Sequence, residues 1–212
     1  METIKVIMPS KAFRKSALSY FDQTSQDLLL SYNPRTIAPR DGEIAQDVPG
    51  RATGSWLPLA WYGALPPYGV ESSEQQCMSL SHDNVDPTKP ALAIGSGLPL
   101  TNADGSVQIG TLTSGAYYFD VDTNPGNYWN RENWSFGDIG VGNEVYCYEN
   151  LRPYPTGGAT IPDLIILVQM RTQMVAGVAK TVLRVQARQR SDAPAVWDRN
   201  LNNPMTAEYF RD

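Results

Sequence analysis

Histidine is nearly missing from this chain, with His82 alone among 212 residues. That scarcity excludes metal centres built on several imidazoles and leaves any serine triad a single base to draw on. Cysteine is scarce too: Cys77 and Cys147 lack CxxC spacing, so neither a disulfide scaffold nor a structural zinc site fits. Both read as small core hydrophobes, with a single disulfide between them as the alternative. The longest apolar run, LIILV at 164–168, falls far short of the roughly twenty residues that carry a helix across a bilayer, so no membrane partner is expected. Met1 leads into IKVIMPSKAF, which has neither a basic start ahead of an apolar stretch nor a small-residue cleavage site. The expectation is a chain made in the cytoplasm without export, with a virion as one destination.

Positive charge is also in short supply. A net charge of −5 and a pI near 4.9 exclude a protein whose whole surface grips nucleic acid or anionic lipid. The deficit is uneven. Residues 1–40 carry Lys5, Lys11, Arg14, Lys15, Arg35 and Arg40 against Glu2, Asp22 and Asp27, a balance of +3 that leaves −8 for the rest. The first forty residues therefore read as a mildly basic extended arm, and any nucleic-acid contact is assigned to it.

What the chain has in quantity is punctuation. Seventeen glycines and sixteen prolines, spread throughout, are too many for a helical bundle, while 42% hydrophobic residues supply a sizeable core. With no internal repeat or low-complexity tract, residues 1–212 read as one all-β domain. The clearest pair of strands is PDLIILVQMR (162–171) and TVLRVQARQR (181–190), joined through Ala176-Gly177. In the second, Leu183, Val185 and Ala187 alternate with Arg184, Gln186 and Arg188, which predicts one apolar and one wet face. The first is apolar on both faces at its start, as expected inside a sheet or under a covering loop.

Further strands are predicted in IKVIM (4–8), DLLLSY (27–32), QCMSLS (76–81), ALAI (91–94), SVQIGTLT (106–113), AYYFDV (116–121) and NEVYCYE (143–149). A two-step apolar pattern in SKAFRKSALSYF (10–21) is the one hint of helix. Short strands at this spacing point to a β-sandwich or jelly-roll-like antiparallel barrel with long Pro/Gly-rich loops.

Chemistry-bearing residues gather in FDVDTNPGNYWNREN (119–133). Asp120, Asp122 and Asn124 match the first three ligand positions of an EF-hand-type loop, and with Glu132 they form the candidate calcium site. Pro125 stands where that loop needs glycine, and Glu132 is thirteenth rather than twelfth. Asn124-Pro125-Gly126-Asn127 equally meets the requirements of a type II turn. Tyr128, Trp129 and Trp134, with Arg131 at the rim, make a candidate carbohydrate platform; the competing reading buries the tryptophans as a satellite core or against another subunit. A second aromatic stretch, SWLPLAWYGALPPYG (55–69), is broken by Pro58, Pro66 and Pro67 and reads as an edge segment or long loop, with Trp56, Trp61, Tyr62 and Tyr68 as interface anchors.

Catalytic motifs are not found. Ser96 in IGSGL lacks the first glycine of a nucleophile elbow, and neither GSGLPL nor TGGATIP is followed by Lys-Ser/Thr. His82, between Ser81 and Asp83, reads as a hydrogen-bonded loop residue. Three functional expectations remain. The first is a non-enzymatic structural or binding subunit of a larger assembly, virion-type (capsid, decoration or tail) and homo-oligomeric. The second is a carbohydrate-binding module that is calcium-dependent if the acidic loop binds the ion. The third is a hydrolase using a pair of acidic residues.

Overall fold

The computed structural model describes residues 16–42, 46–63, 76–121, 132–154, 160–190 and 201–211. Eleven strands run through them: β1 (Gly54–Pro58), β2 (Met78–His82), β3 (Pro90–Ile94), β4 (Leu98–Thr101), β5 (Gln108–Leu112), β6 (Gly115–Tyr118), β7 (Val145–Glu149), β8 (Arg152–Pro153), β9 (Leu164–Val175), β10 (Val178–Gln189) and β11 (Ala207–Phe210). The protein is all-β, in one curled, mixed sheet.

The predicted hairpin organises it. β9 and β10 pair in continuous antiparallel register from Leu164↔Gln189 to Val175↔Val178. Ala176 and Gly177 both have positive φ, 47° and 81°, the geometry of a two-residue type I′ turn whose twist matches that of the strands. β9 is then enclosed by β7 on its other side. Being central, it buries both faces, as the apolar start predicts: Ile166 and Val168 join the main core, while Ile165 and Leu167 pack with Val145, Cys147 and Leu201.

The free side of β10 is shared. Its middle pairs with β11 (Val182↔Phe210 to Val185↔Ala207) and its end with β4 (Ala187↔Leu100, Arg188↔Thr101). The β10–β4 pairing is parallel, so the predicted purely antiparallel arrangement becomes a mixed one. Around the curl the order runs β5-β4-β10-β11-β1-β2-β3-β6-β8. The curl brings Trp56, Leu80, Leu92 and Tyr117 from one half against Tyr148, Ile166, Val168, Leu183 and Val185 from the other, in one apolar cluster.

Three local expectations are corrected. Arg184, Gln186 and Arg188 do not face water: their residues are 4%, 1% and 1% exposed. The chain from Leu201 onward folds over that face, and Arg184 donates to Glu208 Oε1 (3.0 Å), Gln169 Oε1 (3.1 Å) and the Leu201 carbonyl. Arg188 Nε donates to Gln186 Oε1 at 2.8 Å. A period of two reports that the faces differ, not that one is wet, and burial of the guanidinium is offset here by charge-assisted hydrogen bonds.

Second, β1 is no edge. Gly54–Trp56 pair with β2 and Leu57–Pro58 with β11, so the strand passes from one neighbour to another. Pro58 is its last residue, where a missing N–H costs least.

Third, DLLLSY is helical. Asp22 Oδ1 accepts from Ser25 N–H at 3.0 Å and caps helix α1 (Gln23–Ser31), and a short 3₁₀ turn at Ala17–Tyr20 precedes it. Neither element buries a side chain. After α1 the chain is fastened by Arg35, only 2% exposed, whose Nη1 donates to the Asn84 carbonyl at 2.6 Å. The predicted strand at 4–8 lies outside the described residues.

Candidate functional site

The acidic and aromatic stretch is rooted at both ends. Phe119 is buried where it leaves the sheet, and Phe136 is buried where it returns; their rings meet edge-on at 5.3 Å, and each packs on fully buried Tyr148, at 4.7 and 5.1 Å. Asn133, at φ 50°, is pinned against β7: its N–H donates to the Cys147 carbonyl (2.8 Å) and its Oδ1 accepts from Glu149 N–H (2.9 Å). Trp134 is half-buried, edge-on to Tyr146 at 5.5 Å, and its carbonyl accepts from the Tyr148 hydroxyl at 3.0 Å. Of the sugar-platform residues, Trp134 thus lies against the core; Tyr128, Trp129 and Arg131 lie outside the described residues.

The acidic candidates separate. Asp120, highly exposed, is ion-paired with Arg152 Nη2 at 2.6 Å. Glu132 forms an isolated bridge with Cys147 along β7. Asp122 and Asn124 lie outside the described residues, among which no group of three or more metal-ligating side chains is found.

The proposed interface aromatics divide as well. Trp56 is fully buried; its Nε1 donates to the Ala52 carbonyl (2.8 Å), and the Arg211 guanidinium stacks over its ring at 4.5 Å. Arg211 also donates to the carbonyls of Thr53, Val48 and Arg51, which locks the end of the chain onto the start of β1. Trp61 and Tyr62 are half-buried, with Tyr62 edge-on to Phe210 at 5.4 Å and under the Lys180 ammonium. Tyr68 is outside the described residues.

His82 ends β2. Its ring Nδ1 lies 3.1 Å from the Asp83 carbonyl oxygen, and its backbone N–H donates to Gln46 Oε1. The Asp83 carboxylate is engaged elsewhere: it accepts from the Tyr118 hydroxyl (2.5 Å) and from the Val85 and Asp86 amides. Partial desolvation opposes ionisation of Asp83, but these hydrogen bonds outweigh it and hold the carboxyl below its usual range. Desolvation and the same bond push the Tyr118 phenol up. An Asp83 carboxylate orienting His82, as a triad requires, is therefore not formed. Cys147 is a buried thiol raised by desolvation, and the two cysteines are not bridged.

A feature that sequence reading missed lies where the two ends of the curled sheet approach. Between terminal strands β5 and β8 opens a mouth of about 490 Å³. Leu100, Ile109, Leu112, Tyr117, Ile161 and Leu164 line it, and Asp163 is the one charged lining residue among those described. These side chains come from β4, β5, β6 and the lead into and start of β9, so no sequence window displays them together.

Comparison with family models, curated proteins and solved structures finds no match. Among the described residues no helix is long and apolar enough to cross a membrane.

Proposed function

We propose that this chain is a non-enzymatic structural subunit of a larger homo-oligomeric assembly, of the virion type (capsid, decoration or tail). The observation that carries the reading is the arm. Residues 16–32 form helical structure that buries no side chain and exposes Tyr20, Phe21, Leu28, Leu29 and Tyr32. An isolated nine-residue helix is marginal in water, and contiguous exposed apolar groups mark contact surfaces. A surrounding assembly supplies what this helix lacks.

The curled sheet, with its two halves facing one core, supports a jelly-roll-like sandwich as the finer description of the fold, in one domain with the arm outside it. Calcium plays no part in this reading.

Solution mass measured across a wide concentration range tests it. Species larger than a monomer, growing with concentration, are expected. A monomer at every concentration that binds immobilised glycans would replace the assembly reading with the carbohydrate-binding one.

A further inference from the structure

Residues 16–42 bury one side chain, and it is a charged one. The Arg35 guanidinium spreads over three carbonyls: Nε donates to Ile37 (2.9 Å), Nη2 to Ala38 (3.5 Å) and Nη1 to Asn84 (2.6 Å). The first two are local, and the third reaches the body. Asn84 belongs to the turn between β2 and β3, which is closed by the Asp83 N–H donating to the Lys89 carbonyl at 2.8 Å. The Asp83 carboxylate shapes the rest: one oxygen accepts from the Val85 and Asp86 amides (2.6 and 2.8 Å), the other from the Tyr118 hydroxyl of β6 (2.5 Å). One carboxylate thus sets the turn that presents the acceptor for Arg35.

We propose that the β2–β3 turn is a latch for the arm: ionised Asp83 holds the Asn84 carbonyl against Arg35, and neutralising Asp83 releases it. The latch works within one chain and needs no second copy. Bonds to a carboxylate are charge-assisted and about twice as strong as neutral ones, so a proton on Asp83 weakens all three at once. Asn84 lies between Asp83 and the anchored Val85 amide, and its carbonyl shifts when that bond loosens. A buried guanidinium is sensitive to such a shift, because its desolvation is offset only while its hydrogen bonds are made. Gln46 limits what is freed. Its side chain accepts from the His82 N–H (2.8 Å) and donates to the His82 carbonyl and Asn84 Oδ1 (both 3.3 Å), so release ends before that residue.

Several titratable and charged groups surround Asp83. Tyr118 faces it from β6, with Tyr154 tilted against the Tyr118 ring at 5.7 Å. Asp86 faces it from the same turn and is paired with Lys89 at 3.3 Å. His82 precedes it, with ring Nδ1 3.1 Å from the Asp83 carbonyl. A carbonyl can only accept, so that nitrogen carries its hydrogen whether the imidazole is neutral or charged. Asp83 is therefore the group whose proton changes the bonds that shape the turn. Desolvation opposes its charge, but the hydrogen bonds outweigh this and hold the carboxyl below its ordinary value. The latch is then closed above the usual carboxylate range and opens as pH falls through the depressed value.

Trypsin tests this on the full chain, because it must take the Arg35 side chain into its own specificity pocket to cut after it. Cleavage there should be slow in the wild type and about tenfold faster in Asp83→Asn, which removes the charge and keeps one acceptor for the amides. Arg35→Lys, still a trypsin site, should also be cut faster, since an ammonium cannot span three carbonyls as the planar fork does. Tyr118→Phe deletes one of the three bonds and should lie between. Amide exchange in the β9–β10 hairpin should not change in any variant. In nuclear magnetic resonance, the wild-type Arg35 Nε–H signal should move towards that of a solvated arginine as pH falls through the depressed carboxylate value. Asp83→Asn should abolish this movement.

Unchanged cleavage in Asp83→Asn and Tyr118→Phe would overturn the latch even if Arg35→Lys is cut faster, because the arm would then be held without the carboxylate. A midpoint for the Arg35 signal in the imidazole range would overturn it in favour of His82. Faster cleavage matched by equally faster exchange in the hairpin would overturn it as well, since the turn would then brace the whole sheet and not the arm. All three outcomes leave the assembly reading untouched, because none of them measures association.

Discussion

The β9–β10 hairpin, with three leucines, and the arm at residues 16–42, with four, end in opposite states. In the hairpin, every side chain from Val182 to Arg188 is buried, three of them polar. In α1 not one is. The hairpin obtains its partners from its own chain: β7, β11 and β4 beside it, the other half of the curl on one face, and the segment from Leu201 on the other. The arm has few devices: a side-chain cap at Asp22, Arg40 donating to the Leu30 carbonyl, and the Arg35 bond to the Asn84 carbonyl beyond the helix. Burial on both faces makes a strand's conformation a property of the whole fold. A helix that buries none of its side chains remains a local equilibrium, open to a partner.

The sharpest way to break this contrast is to cut into the hairpin. Leu183→Ala and Ile166→Ala should each destabilise the protein by about 2–5 kcal/mol, because both side chains are fully buried in the main core and neighbours collapse only partly around a deletion. Denaturant titration measures this. Losses below about 1 kcal/mol at both sites would mean that the hairpin does not hold the core together.

A smaller effect of opposite sign sharpens it. Ala176 occupies the left-handed region at φ 47°, in a turn where asparagine is favoured and alanine is strained. Ala176→Asn should raise stability by about 0.5–1 kcal/mol, seen as a higher denaturation midpoint with an unchanged slope. No gain would show that the turn follows the strands and does not help to set their register. Gly105, at φ 79°, offers no such gain: a Cβ there would come within 2.9 Å of the Arg188 guanidinium.

The hairpin was legible in the sequence because its signals agree. A period of two in 181–190, an apolar start at 162–171 and a turn dipeptide all point the same way, and the strands predicted around 76–81, 91–94, 106–113, 116–121 and 143–149 likewise appear, with shifted ends. Failures arose where one signal serves two outcomes. Leu28, Leu29 and Leu30 satisfy a strand or a helix equally, and what decides is the Asp22 cap, whose donor Ser25 lies three residues on. Arg184, Gln186 and Arg188 show the strand's period but not what covers it, because Leu201 and Glu208 approach from far along the chain. β4 carries Pro99 and β11 has four residues, so neither reads as a strand alone. The mouth was invisible for the same reason: topology alone gathers its lining. The acidic stretch was conspicuous for its composition, but the described parts of it show anchoring, with Asp120 on Arg152 and Trp134 on Tyr146.

The smallest expected effect is the most telling about the arm. Asp22→Ala removes the acceptor that holds the Ser25 N–H and hydroxyl at 3.0 and 2.9 Å, and α1 should fray. In a helix packed on a core, such fraying would be transmitted to the whole protein. Here α1 contributes no buried side chain, so the cooperative melt of the sheet should not move, while the helical part of the far-ultraviolet signal diminishes. The Asp22 carboxyl adds a pH handle. The Ser25 backbone and side-chain hydrogen bonds hold its pKa below the ordinary value, so the cap is formed above the usual carboxylate range and is lost as pH falls through the depressed value. Wild-type α1 should therefore fray in acid, and the Asp22→Ala variant should lose this component of the pH dependence. Measurements belong at concentrations too low for self-association. A melting temperature that drops with Asp22→Ala under those conditions would show that the arm leans on its own body, and the contrast between the two regions would fail.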